Sequence, residues 1–175
     1  SDALTANTTG AANVAVGKNA LEANTTGSNN TAVGRSALTA NTTAASNTAV
    51  GFQVLAANTT GTGNTAVGHN TLDANTTTHN NTAIGYNALT ASVSANHTAV
   101  GSEALAACTT AANNTAVGYA AMDSTTTGGN NVAMGYAAMD VNTTGTNNVA
   151  IGYAALTASN AANNVAVGFN AGDGV

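Results

Sequence analysis

Proline and tryptophan are missing altogether from these 175 residues. Charge is nearly so: Lys18 and Arg35 are the two cations, seven residues are acidic, and charged residues make up 5% of the chain. About a quarter of an average soluble domain is charged, so an ordinary globular surface is excluded. Two cations against a net charge of −5 give no electrostatic footprint for nucleic acid. A single cysteine, Cys108, cannot build an intrachain disulfide framework. No apolar run approaches the roughly 18 residues of a membrane-spanning helix, so this segment is not expected to insert into a bilayer. Ser1 opens in mid-pattern, without the charged-then-apolar start of a secretion signal, and the chain reads as a fragment of a longer protein. Aromatic residues are scarce, at 3%: Phe52, Tyr86, Tyr119, Tyr136, Tyr153 and Phe169.

What remains is small. Ala (41), Thr (31), Asn (27) and Gly (19) account for 118 of the 175 residues. Ala supplies most of the apolar fraction and buries little area, so a conventional core of Leu, Ile and Phe is out of reach. Order comes instead from repetition. The glycines that close each T/V-A-V-type unit are Gly17, Gly34, Gly51, Gly68, Gly85, Gly101, Gly118, Gly135, Gly152 and Gly168, a spacing of 17 interrupted twice by 16. The consensus N-T-A-V-G-Y-N-A-L-T-A-N-T-T-G-x-N makes residues 1–175 a single repeat domain.

A two-helix repeat needs more than about 30 residues, and Asn-Thr-Thr-Gly would stop a helix in every unit. N-T-A-V-G alternates as a strand does. Counted from the anchoring glycine, positions −3, −1 and +1 share one face, while Ala at −2 and the glycine share the other. A second short strand is expected at A-L-x-A, as in Ala37-Leu38-Thr39-Ala40, before the turn at Asn41-Thr42-Thr43. The fold predicted is all-β, a parallel β-solenoid of about ten 17-residue coils. At an inter-strand step of roughly 4.8 Å it would be about 48 Å long. Asn recurs at −4 (Asn13, Asn30, Asn47, Asn64, Asn81, Asn114, Asn131, Asn148, Asn164, with His97 once) and at +7 (Asn24, Asn41, Asn58, Asn75, Asn142). Both rows are expected to form amide ladders, each side chain donating to one neighbour and accepting from the other.

Position +4 is Leu or Met in nine coils, from Leu21 to Leu156, and opposing Ala and Gly would leave it room in a narrow interior. That choice turns outward Val16, Val33, Val50, Val67, Ile84, Val100, Val117, Met134, Ile151 and Val167. Such a stripe is too large to leave in water, and a homo-oligomer with the stripes against a common axis would cover it. The reverse arrangement, with Val inside and Ala and Gly outside, fits the same alternation. The oligomer rests on the choice between the two.

All six aromatic residues fall at +1, in the row Lys18, Arg35, Phe52, His69, Tyr86, Ser102, Tyr119, Tyr136, Tyr153, Phe169. Stacked there, they could bind glycans or apolar partner surfaces, or plug the corner between subunits. Catalytic constellations are weak by comparison. Glu22, Asp73, Asp123, Asp140 and Asp173 share position +5 on one solvated edge, and His69, His79 and His97 lie at different repeat positions. No G-x-S-x-G nucleophile elbow and no calcium-binding G-G-x-G-x-D repeat occurs. The reading is of a non-enzyme without metal or cofactor. Asn-Thr-Thr at Asn7, Asn24, Asn41, Asn58, Asn75 and Asn142 matches the glycosylation acceptor, but the tripeptide is also the recurrent turn, and outside a eukaryotic source the structural role prevails.

The repeated N-T-A-V-G-x-x-A resembles the S-V-A-I-G-type repeat of YadA-like heads in trimeric autotransporter adhesins. The longer form, N-T-A-V-G-Y-x-A-L-x-x-N-T-T-G-x-N-N, is similar to repeats of phage and bacterial tail-fibre proteins that end in a self-cleaving chaperone. Both resemblances cover the whole chain, although 17 residues exceed the usual head repeat. They imply a left-handed β-roll assembled as a homotrimer. The implied function is a non-catalytic, extracellular structural and adhesive module on a bacterial surface or a virion fibre, presenting a binding surface to a host-surface protein or glycan. An ice-binding β-solenoid is the alternative, with Thr rows at −3, +8 and +9 ordering water.

Overall fold

The computed structural model describes residues 2–173. Each T-A-V or V-A-V unit becomes a strand because β-branched residues at −3 and −1 suit a pleated surface. The strands are β1 (Val14–Val16), β2 (Thr31–Val33), β3 (Thr48–Phe52), β4 (Thr65–His69), β5 (Thr82–Tyr86), β6 (Thr98–Val100), β7 (Thr115–Val117), β8 (Val132–Met134), β9 (Val149–Ile151) and β10 (Val165–Val167). They form one sheet in chain order, parallel throughout, with like positions side by side: Val50 pairs with Val67, and Val67 with Ile84. The chain is therefore a β-solenoid of about nine turns with roughly 17 residues per turn. Glycine stands directly after the T-A-V-type triplet in every coil for a physical reason. At Gly85 φ is +142°, and a Cβ would lie 2.3 Å from the Gly101 carbonyl oxygen of the next coil.

The expected second strand is absent among the described residues. Residues 37–40 form a turn, with left-handed backbone at Ser36 (φ 58°) and Leu38 (φ 51°). The reason lies in the core. Ala37 and Leu38 are adjacent and both fully buried, whereas a strand would send them to opposite faces. Left-handed residues at +2 and +4 fold the chain so that both point inward. The segment still bonds coil to coil, since the Leu38 N–H donates to Val54 O (3.0 Å) and the Ser36 N–H to Lys18 O (2.8 Å).

The interior is a narrow slot in which Ala at −2 meets Ala at +3 and Leu or Met at +4. Ala66, Leu72, Ala83, Ala88 and Leu89 are all fully buried. Of the two arrangements compatible with the alternation, this is the one with Ala inside and the Val row outside.

Two asparagine rows close the other end of the slot, and they work differently. In the −4 row the amide does not pair mainly with its neighbouring amides. Asn47 Oδ1 accepts the backbone N–H of Asn64 (2.9 Å), and Asn47 Nδ2 donates to Gly61 O (2.8 Å). The +7 row is an amide ladder: Asn24 donates to Asn7, Asn41 to Asn24, Asn58 to Asn41 and Asn75 to Asn58, at 2.8–3.1 Å. Both rows clasp the same turn carbonyl, as Asn30 and Asn41 do at Ala44 O (2.9 and 3.1 Å). An apolar core this thin is closed by buried amides whose donors and acceptors are paired, Asn142 Nδ2 excepted.

The two 16-residue coils show how the spacing can shrink. Their +7 residues are Ser92 and Ser159. Asn58 spans its turn to Gly61 O, three residues on, whereas the Ser159 hydroxyl takes the Ala161 N–H only two residues on (3.1 Å), and Ser92 likewise meets Ser94. A shorter side chain bridges a turn shortened by one residue.

Asn142 lacks amide neighbours in its row, which continues as Thr125 and Ser159, and its buried Nδ2 has no partner. Thr125→Asn should supply an acceptor and stabilise the protein by about 1 kcal/mol. Asn47→Ala should cost about 1–3 kcal/mol, because it strands the buried Asn64 N–H. Thermal melts followed by circular dichroism check both, with opposite signs expected.

Candidate binding face

The sheet exposes one continuous outer face made of three rows. Row −3 is Thr from β2 to β7 and Val in β1, β8, β9 and β10. Row −1 is the Val, Ile and Met stripe. Val16, Ile84, Met134, Ile151 and Val167 are exposed, and Val33, Val50, Val67, Val100 and Val117 are half-buried by their neighbours within the chain. Over β8 to β10 all three rows are apolar: Val132, Met134 and Tyr136, then Val149, Ile151 and Tyr153, then Val165, Val167 and Phe169.

Row +1 stacks along the axis. The Arg35 guanidinium lies 5.3 Å from the Phe52 ring centre, Phe52 is 5.0 Å from His69, and His69 is 5.3 Å from Tyr86. After Ser102 the stack resumes at Tyr119, Tyr136, Tyr153 and Phe169, with centroids 5.0–5.2 Å apart and ring planes within 16° of parallel. Tyr86, Tyr119, Tyr136 and Tyr153 are each about half exposed, and Phe169 more so. The spacing is the coil repeat itself, so one aromatic per coil at a fixed position must stack.

The sequence reading missed a contact at the closed end of the slot. His97 at −4 and Cys108 at +7 take the places of two asparagines and come together, Nε2 to Sγ, at 3.7 Å. His97 Nδ1 accepts the Asn114 N–H (3.3 Å), so Nε2 carries the proton and donates to Ala111 O (2.8 Å). Burial lowers the His97 pKa and raises that of Cys108 to about 11. A neutral thiol beside a neutral imidazole is the reverse of an activated thiolate pair. The two positions are paired by the fold, since −4 and +7 converge on one turn carbonyl at Gly27, Ala44, Gly61 and Thr78.

The remaining candidates fall as follows. Asp123 and Asp140 lie close enough to influence each other, and burial is the main cause of their raised pKa values. Among the described residues there is no pocket and no group of three or more His, Cys, Asp or Glu placed to hold a metal. Asn24, Asn41, Asn58, Asn75 and Asn142 of the N-T-T turns are fully buried, so the folded chain offers their amides to no glycosylating enzyme. No family model matches the chain, and neither a curated protein nor a solved structure matches it.

The partly buried carboxyls make stability depend on pH. Asp73, Asp123 and Asp140 have pKa values raised above the ordinary 3.8, chiefly by burial. The stability they contribute is full below 3.8 and is lost as pH rises through their folded values. His97 opposes them, because its folded pKa lies below the ordinary 6.5 and its contribution is lost as pH falls through that depressed value. In a His97→Asn variant the melting temperature should therefore climb as pH is lowered from 7 towards 4. A decline on acidification would show that these carboxyls are not desolvated.

Proposed function

We propose that the chain forms a homotrimer of left-handed β-rolls, with its Val row against the shared axis. In this reading it serves as a rigid, non-catalytic, extracellular module, the head or stalk of a bacterial surface adhesin or the shaft of a tail fibre. One observation carries the reading: a ten-stranded, all-parallel sheet whose outer face is apolar and uncovered in the single chain. Parallel sheets are stable with both faces covered, and a second layer here must come from other molecules. Three identical stripes meeting at an axis cover one another with identical neighbours at every level. The aromatic row runs along the margin of that seam and is the strip open to a host-surface protein or glycan. Ice binding draws less support, because the +8 threonines donate their hydroxyls to the backbone, as Thr59 does to Thr76 O (3.0 Å).

Sedimentation should give a mass of about three chains and an elongated shape. Val67→Asp with Ile84→Asp places six carboxylates in the seam, each costing several kcal/mol to bury unpaired, so the trimer should be lost. Tyr119→Ser with Tyr136→Ser should leave the mass unchanged. A stable monomer of the parent chain at micromolar concentration would overturn the assembly, and dissociation by the Tyr pair alone would move the seam to the aromatic row.

A further inference from the structure

The stack in row +1 lacks one rung. Ser102 occupies the position, in register, with the Glu103 N–H donating to Tyr86 O (2.9 Å) and the Ala120 N–H donating to Ser102 O (2.9 Å). Tyr86 and Tyr119 thus rise from the same sheet two coil steps apart, about 9.6 Å. Tyr119 is stacked on Tyr136 and Tyr86 is tilted by 31° against His69, so each has its ring neighbour on one side and the gap on the other. A planar group entering there would meet both faces at the spacing of about 5 Å found throughout the row. Ser102 is the floor, short enough to leave the slot open.

The slot is also anionic. The phenol of Tyr119 lies against the Glu103 carboxylate, with Asp123 nearby. The row itself shows which cation fits. Arg35 serves as a rung, its guanidinium stacked on Phe52. Arg35 cannot fill the gap, because it stands four coils from Ser102, about 19 Å along the axis. Lys18 is one coil further. In a trimer with the chains level, the partners' cations are equally remote.

We infer that the Tyr86–Ser102–Tyr119 slot takes an arginine side chain of a partner protein, its guanidinium intercalated as the missing rung and its edge paired with Glu103. A guanidinium is flat, stacks on aromatic faces and bonds carboxylates through a planar fork. An ammonium is compact and strongly hydrated, and a neutral sugar can donate hydroxyl hydrogens to the carboxylate but brings no charge to neutralise it. The inference deepens the reading of the aromatic row as an open binding strip, on which it rests, and requires nothing of the Val seam.

The test uses the intact chain with ring-labelled tyrosine, whose four signals are assigned by Tyr→Phe variants, and acetyl-Gly-Arg-Gly-amide as the probe. The Tyr86 and Tyr119 signals should shift on titration, and those of Tyr136 and Tyr153 should not. Ser102→Tyr, which joins Tyr86 to Tyr119, Tyr136 and Tyr153 in an unbroken run of five tyrosines, should weaken the response more than about tenfold with unchanged dichroism. Glu103→Gln should weaken it about two- to fivefold. An equal response to acetyl-Gly-Lys-Gly-amide or to methyl pyranosides overturns the inference, as does a response that survives Ser102→Tyr. If Ser102→Tyr fails to fold, the peptide comparison and Glu103→Gln decide. Adding a soluble paramagnetic agent separates the two ways of failing. Tyrosine signals shielded from it mean that the strip is closed and both readings fall, whereas exposed signals without an arginine response remove the arginine slot alone.

Discussion

Hydrogen bonding between coils governs this molecule, because almost every backbone group that holds a coil in place belongs to the coil above or below. Such pairing demands that each coil superimpose on the next. It explains why the spacing is 17 with two exceptions, and why both exceptions carry a compensating serine, at Ser92 and Ser159. It explains the left-handed backbone at +2 and +4, which recurs from coil to coil because the same sharp path must be stacked each time. A non-glycine residue in that conformation is ordinarily disfavoured by about 1–2 kcal/mol. Here the distortion brings two adjacent side chains, Ala and Leu, into a core that has few other apolar groups to bury.

The thin core shifts the load to polar groups. A buried asparagine is costly when unpaired and specific when paired, and the stacked arrangement supplies partners at fixed distances along the axis. The ladder from Asn7 to Asn75 shows the full pattern. Beyond it the row passes through Ser92, Cys108 and Thr125, and Asn142 is left with an unpartnered Nδ2. Where His97 replaces an asparagine, it reproduces both of that residue's bonds, Nδ1 accepting as Oδ1 would and Nε2 donating as Nδ2 would. The ring is tolerated because it is a hydrogen-bonding isostere, and its contact with Cys108 follows from geometry rather than chemistry.

The same stacking builds the outer face. A residue type repeated at one position becomes a continuous row, so a few aromatic side chains are concentrated into a strip and the valines into an outward-facing stripe. The functional proposals rest on this amplification: assembly on the valine row, and recognition on the aromatic row where its rhythm is broken at Ser102.

Period, strand location, parallel stacking and the identity of each row were determined by the sequence alone, because a 17-residue repeat with an alternating N-T-A-V-G segment admits few other folds. The choice of face was not. Alternation says that Ala and Val lie on opposite sides, and only the packed coil shows that Ala32, Ala66 and Ala83 are inside with Leu38, Leu72 and Leu89. The A-L-x-A segment was misread as a strand because its hydrophobicity is that of buried chain, while its left-handed turns arise from the need to bury neighbours together. The two asparagine rows looked alike on paper, and the tertiary structure separated them, since whether an amide meets another amide or the backbone depends on where the turn carbonyl stands. Contacts such as His97 with Cys108, and the gap between Tyr86 and Tyr119, exist only once the coils are stacked, because closure of the coil, not distance along the chain, decides which residues meet.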